Sequence, residues 1–201
     1  TDTIVTVGSD WTGFANYTAD GTTMTVYGDI IGFSCSGNRA NLTALDLSQN
    51  TQLTWLNCSS NQLTSLDVTH NTQLIELNCH NNSLNSLDIL HNTQLWVVYC
   101  HGNNFSTQAL NDIYCALPDR TGKTNGVILP IYDSLSSNYA TVLASNKQNA
   151  INKNWKVQYR TNYTDIATTG KHKCSSTDIA EASAEPALTL YPNPVSALLY
   201  Y

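Results

Sequence analysis

Between Leu42 and Phe105 the apolar positions recur every 21 residues. One half of each repeat reads LTALDLSQNTQ, LTSLDVTHNTQ and LNSLDILHNTQ; the other reads LTWLNCSSNQ, LIELNCHNNS and LWVVYCHGNN. Leu42, Leu53, Leu63, Leu74, Leu84, Leu95 and Phe105 form one column, with steps alternating between 11 and 10 residues. Leu45, Leu56, Leu66, Leu77, Leu87 and Val98 form a second. A helix would repeat its apolar face every three to four residues. Here each half alternates with a period of two and closes on Asn, which marks a short strand followed by a turn. Such a unit cannot bury its apolar face alone, so the coils must stack on one another. The pattern predicts a right-handed solenoid with one parallel strand per coil, centred on 55–58, 76–79 and 97–100.

The same pattern assigns the interior. Leu53, Leu56, Cys58 and Leu63 point inward in one coil, and Leu74, Leu77, Cys79 and Leu84 in the next. Leu42, Leu45 and Leu47, then Leu66 and Val68, then Leu87 and Ile89 fill the opposite side. Asn61, Asn82 and Asn103 follow the Cys strands at a fixed offset, and Asn50, Asn71 and Asn92 follow the other half. An amide turned inward at these places would bond the backbone of neighbouring coils and replace hydrogen bonds that the turns forgo.

Regularity fails at both ends. Residues 1–41 read as an N-terminal β cap and a degenerate first coil: TIVTV, TMTVY and IIGF have strand character and glycines separate them. Ile30, Phe33 and Cys35 already fit the repeat spacing. Residues 106–160 read as a C-terminal α/β cap. STQALNDIYCALP predicts a helix with Ser106 as N-cap and Pro118 as terminator. VILPIY and WKVQY predict strands, and 138–154 predicts helix. Residues 161–186 are polar and rich in Thr, Ser and Ala, the composition of a linker. Residues 187–201 regain apolar strand character around two prolines.

Charge changes the picture chiefly by where it is missing. Only 12% of the 201 residues are charged, and the formal net charge is -6. No Lys or Arg occurs between Ala40 and Asp119, whereas Asp46, Asp67, Glu76, Asp88, Asp112 and Asp119 are acidic. A surface without cations cannot neutralise phosphates, so nucleic acid is not expected as a partner. The sequence has no membrane-spanning apolar run. Cys58, Cys79 and Cys100 stand 21 residues apart, with Cys35 as a fourth rung. Stacked parallel strands lie about 4.8 Å apart, wider than the roughly 3.8 Å Cβ separation of a disulfide. These thiols therefore read as small buried hydrophobes. Cys115 and Cys174 lie outside the column and can pair only if the tail folds back on the cap, which the sequence leaves open.

The repeat resembles the 21-residue leucine-rich repeats of bacterial surface proteins, in particular the internalin subgroup with a cysteine ladder. The matching residues are Leu53, Leu56, Cys58, Asn61, Leu63 and Leu66, and the same set 21 later. The segments ALNDIYCALPDRTGKTNG and NKNWKVQY resemble the C-terminal portion of similar proteins from the Bacteroidetes. Tyr191-Pro192-Asn193-Pro194-Val195, preceded by Leu188-Thr189-Leu190, resembles the opening of the C-terminal sorting domain of type IX secretion. That domain normally continues well beyond the point where this sequence stops, so the segment is read as truncated. The resemblance implies an exported protein, secreted or held at the outer cell surface.

Solenoids of this kind commonly bind through the outward face of their sheet. On the Cys strands that face carries Trp55, Glu76, His80, Val97, Tyr99 and His101, large and varied groups that are the candidate binding residues for a protein or glycan on a host or bacterial surface. The opposite half offers a near-uniform column of Ser and Asp. His80 and His101, one coil apart, could share a transition metal, and Asp46, Asp67 and Asp88 could attract Ca²⁺. Repeat copying accounts for the histidine spacing, and the aspartates on an exposed face are mostly solvated, so no metal and no cofactor is expected. Catalysis is not expected either: Ser, Asp and His form repeated columns, with no nucleophile, base and orienting group converging in one place. The alternative to a binding module such as an adhesin is a non-binding spacer or stalk unit of a larger surface protein. A homodimer through the exposed sheet or an open end is a further arrangement.

Overall fold

The computed structural model describes residues 30–37 and 42–175, together with the strand backbone at 23–25. The elements in chain order are β1 (Thr23–Thr25), β2 (Gly32–Ser34), β3 (Ala44–Asp46), β4 (Trp55–Asn57), β5 (Glu76–Asn78), β6 (Val97–Tyr99), α1 (Thr107–Ala116), β7 (Gly126–Ile131), α2 (Tyr139–Leu143), α3 (Gln148–Ile151) and β8 (Trp155–Tyr159). Strands β2, β4, β5, β6, β7 and β8 lie side by side in that order in one sheet, every neighbour parallel. Leu56 pairs in register with Leu77, and Leu77 with Val98, so each coil advances by one 21-residue repeat. This stack of short parallel strands is compatible with a leucine-rich-repeat solenoid. On the opposite half, β1 pairs with β3, and among the described residues the later coils form no strand there.

The interior follows the periodic reading. Leu53, Leu56, Cys58, Leu63, Leu74, Leu77, Cys79 and Leu84 are fully buried, as are Val68, Ile89, Val98 and Cys100. Leu45 is only half-buried. Cys35, Cys58, Cys79 and Cys100 are free and buried. Burial pushes the thiols of Cys35 and Cys100 up to about 12 and raises those of Cys58 and Cys79 well above their ordinary value. A thiol held protonated is a poor nucleophile, so the ladder is chemically quiet.

Both asparagine columns turn inward. Asn82 Nδ2 donates to the carbonyls of Cys58 and Cys79 while its Oδ1 accepts from Leu63 N. Asn103 repeats this with Cys79, Cys100 and Leu84. On the other half Asn71 Nδ2 donates to the Leu47 and Asn50 carbonyls, and Asn92 Nδ2 to those of Val68 and Asn71. Each amide thus ties one coil to the preceding one and satisfies carbonyls that the turn would leave buried. Just before this asparagine the chain enters the left-handed region once per coil, at Gly37, Ser60, Asn81 and Gly102. Any other residue in place of Gly102 would carry the same left-handed backbone and set its Cβ 2.1 Å from Asn81 Oδ1, so that amide would have to move.

Past Phe105 the sheet continues but the coil does not. Ser106 accepts from Ala109 N and caps α1 as expected. Helix α1 buries Leu110, Ile113 and Tyr114. Its C-terminal carbonyls of Cys115 and Leu117 accept from Lys153 Nζ, a cation placed where the helix dipole favours one. Trp155 packs directly beneath Gly126, where a Cβ would come within 2.4 Å of its ring, and donates from Nε1 to the Pro118 carbonyl at 2.8 Å. The helix expected over 138–154 is two short ones. Between them buried Ser145 donates to the Val142 carbonyl, Asn146 N donates to Asn111 Oδ1, and Asn146 Oδ1 takes the Gln148 N–H. Such local side-chain bonds compete with the helical ladder and break it.

The linker expected from 161 begins too early. Tyr159 N donates to the Thr164 carbonyl, Ile166 is fully buried with its N–H on the Val157 carbonyl, and Gly170 N donates to the Ser145 carbonyl. The His172 carbonyl accepts from Asn146 and Asn149, and Cys174 is disulfide-bonded to Cys115. Residues 161–175 are therefore part of the packed structure. A polar segment that docks through backbone pairing and one apolar anchor carries no periodicity to reveal it. The TIVTV strand, residues 176–186 and the sorting-like segment at 187–201 lie outside the described residues.

Candidate functional site

Strand pairing sets the outward face of the Cys-strand sheet in columns. Gly32, Trp55, Glu76, Val97, Val127 and Lys156 occupy one. Ser34, Asn57, Asn78, Tyr99 and Leu129 occupy the next. Trp55, Glu76, Val97, Tyr99 and His80 are all half-buried. Trp55 leans over Gly32, close enough for its ring to touch a Cβ there, and so also covers the first coil. At one edge of this face Ile31, Ile75 and Trp96 are exposed, 68%, 42% and 41% respectively. They follow one another along the stack with Thr54 between, because Thr54 N donates to the Ile31 carbonyl, Ile75 N to that of Thr54, and Trp96 N to that of Ile75.

His101 is a correction. It was expected to be an exposed binding residue, yet it is only 3% exposed. Its ring stacks on His80 with centroids 4.5 Å apart and planes 9° from parallel, and meets Tyr132 from the cap at 5.7 Å. Burial, then the charges of His80 and Arg160, pull its pKa down to about 4, against a weaker upward pull from the Leu129 backbone. Burial and Arg160 also lower His80. His80 Nδ1 donates to Asn78 Oδ1, which also accepts from His80 N. Both rings are thus neutral near pH 7.

Parallel imidazoles at this separation direct their lone pairs alongside one another. One ion cannot lie in both ring planes, so the pair makes no shared metal site. Among the described residues no group of three or more His, Cys, Asp or Glu could hold a metal. The Asp column has a structural explanation. Asp46 Oδ1 accepts from Ser48 N, Asp67 Oδ1 from Thr69 N and Oγ1, and Asp88 Oδ1 from Leu90 N. Each carboxylate closes its own turn. Those bonds hold Asp46 and Asp67 below the usual carboxylate range.

The cap supplies residues that periodicity could not reveal. Arg160 reaches back onto the face, its Cζ 5.6 Å from the centroid of the Tyr99 ring and 5.4 Å from that of Tyr163. Its Nη1 donates to the Tyr163 hydroxyl at 2.8 Å. Burial, and next the neighbouring Tyr163, raise the Tyr99 phenol. Tyr163 itself has a left-handed backbone. Leu129, outward by register, is fully buried in this region.

No family model matches this chain, and no curated protein matches it. Among solved structures, the functional domain of InlJ from Listeria monocytogenes, described as including a cysteine ladder, is similar at 23% identity with a TM-score of 0.40. The match covers 76% of this chain and 33% of that one, so this chain spans about a third of it. A likeness this distant decides neither fold nor function, which rest on the coils themselves.

Proposed function

We propose that this protein is a secreted or cell-surface leucine-rich-repeat module, a right-handed solenoid closed by β and α/β caps, that binds a protein or glycan through the outward face of its Cys-strand sheet. The observation that carries the reading is that this face keeps polar groups the fold does not use. Asn57 and Asn78 engage only their Oδ1 atoms, and among the described residues no protein group accepts from either Nδ2. Beside them stands the exposed Trp96, Ile75 and Ile31 edge; aromatic groups in such positions are common anchors at interfaces. The Asp-bearing half, by contrast, presents a near-uniform column of carboxylates, each closing its own turn through Oδ1. The disulfide between Cys115 and Cys174 supports an oxidising compartment outside the cytosol. The role is recognition, as in an adhesin, rather than catalysis.

A pulldown from host and co-resident bacterial surface extracts tests this. Wild type should retain a partner that the Trp55→Ala/Tyr99→Ala variant loses while keeping its fold. Equal retention by both would move the binding surface elsewhere. Retention by neither, with no glycan bound, would favour the spacer reading.

A further inference from the structure

The Tyr99–Arg160–Tyr163 arrangement has the chemistry of a site for one particular kind of group. Arg160 is held by two tyrosine rings and one hydrogen bond to a tyrosine hydroxyl. Among the described residues no carboxylate pairs with it. A guanidinium has five donors in a planar fork that matches a carboxylate. One is taken by Tyr163, and the planar group is fixed in orientation, which lowers the ordering cost of binding. In the same column as Tyr99, one and two strands away, stand the free amide donors of Asn78 and Asn57. With strands about 4.8 Å apart, the row from Asn57 to Tyr99 spans roughly 10 Å. It offers donors along its length and a cation at its end.

Resting on the binding role proposed above, we infer that Arg160, oriented by Tyr163 and Tyr99, forms with Asn78 and Asn57 a subsite for an acidic sugar residue. The sugar's carboxylate takes the guanidinium and its neutral oxygens take the amides. A row of donors calls for a ligand rich in acceptors. Sugar hydroxyls supply these at a spacing of a few ångströms. Hydroxyls can also donate, to acceptors such as His80, whose Nδ1–H is engaged with Asn78 and which leaves its other nitrogen as an acceptor. The coils carry no Lys or Arg, so the charges of an acidic peptide beyond the one on Arg160 would find no cation along the row. Glu76 flanks Tyr99 on the same face, and the coils carry no Lys or Arg, so a densely charged polyanion would be repelled. The favoured ligand bears a single carboxylate.

The test is a titration of the full chain followed by amide and side-chain NMR. The probes are sodium glucuronate, its methyl ester, glucose, and an acetylated Glu-Glu dipeptide amide. Glucuronate should shift the signals of Asn57, Asn78 and Tyr99, with the ester and glucose at least tenfold weaker. Arg160→Gln should lose that response while the core signals of the coils stay in place. Tyr163→Phe keeps the ring and removes the hydroxyl, and should weaken glucuronate severalfold. It also serves if Arg160→Gln does not fold. The inference is overturned if glucuronate shifts none of these signals, if the ester binds as well, or if Arg160→Gln or Tyr163→Phe binds as wild type. It is also overturned if the dipeptide binds the row more tightly. Should glucuronate be silent while Trp55→Ala/Tyr99→Ala still loses a captured partner, the subsite falls and the binding face stands.

Discussion

The coils and the C-terminal cap build the same sheet by different means. In the coils, every interaction is made several times over: one cysteine, two inward asparagines and one left-handed residue per coil. In the cap each interaction occurs once. One disulfide, one lysine on the end of α1, one tryptophan under one glycine and one buried isoleucine in the tail hold 106–175 together. Repetition gives rigidity, but it confines each outward residue to neighbours one 21-residue step away, Trp55 beside Glu76 and Glu76 beside Val97. The seam escapes that limit. There Tyr99 and His101 of the last coil meet Arg160, Tyr163 and Tyr132 of the cap, and the face becomes chemically singular.

The largest effects should show whether stability follows the same division. Leu77 is fully buried between two similar coils, which cannot collapse around a void without losing register. Leu77→Ala should cost about 2–5 kcal/mol, and denaturant melts should show the whole array losing stability. Removing the disulfide should act on the other region. Cys115 and Cys174 close a chain separation of 59 residues, for which chain entropy gives about 4 kcal/mol. Hydrogen exchange in a Cys115→Ala/Cys174→Ala variant should rise first at 161–175 and α1. If β4 and β5 lost protection equally, the two regions would be one cooperative unit and the comparison would fail.

This division also explains what could be read from the sequence. Strand positions 55–57, 76–78 and 97–99, the buried thiols and both asparagine ladders were legible because a period reports the environment of every copy at once. The Ser106 cap was legible because its signal is local. His101 was misjudged because the pattern shows which way it points and says nothing of Tyr132, which covers it. Arg160 and Tyr163 were missed because their role arises from a chain return that aligns with no repeat. The single available signal was that Arg160 sits just past the last strand of the sheet.

His101 provides a seam-specific readout. Its pKa of about 4 lies below the ordinary 6.5, so the unfolded chain takes up a proton before the folded one. Stability is therefore full above about 6.5 and falls as the pH drops toward 4, by up to about 3 kcal/mol. His80, lowered in the same direction, adds to the slope, and Arg160 opposes protonation of both. Midpoints of unfolding measured across that window should fall with acid in wild type and fall less in His101→Asn. An identical slope in the two would remove the buried histidine from the account.

The smallest effect belongs to the Asp half. Asp67→Ala removes bonds to Thr69 on an exposed turn and should cost no more than about 1 kcal/mol. A larger loss in a thermal melt would give that column a role beyond closing its turns.

The most direct measurement compares the seam with this far side. Partner retention from surface extracts should be read side by side for wild type, Tyr99→Ala/Arg160→Gln and Asp67→Ala/Asp88→Ala, each first shown to be folded. The seam variant should lose the partner and the Asp variant should keep it. Loss in the Asp variant with retention in the seam variant would contradict a binding role for the seam.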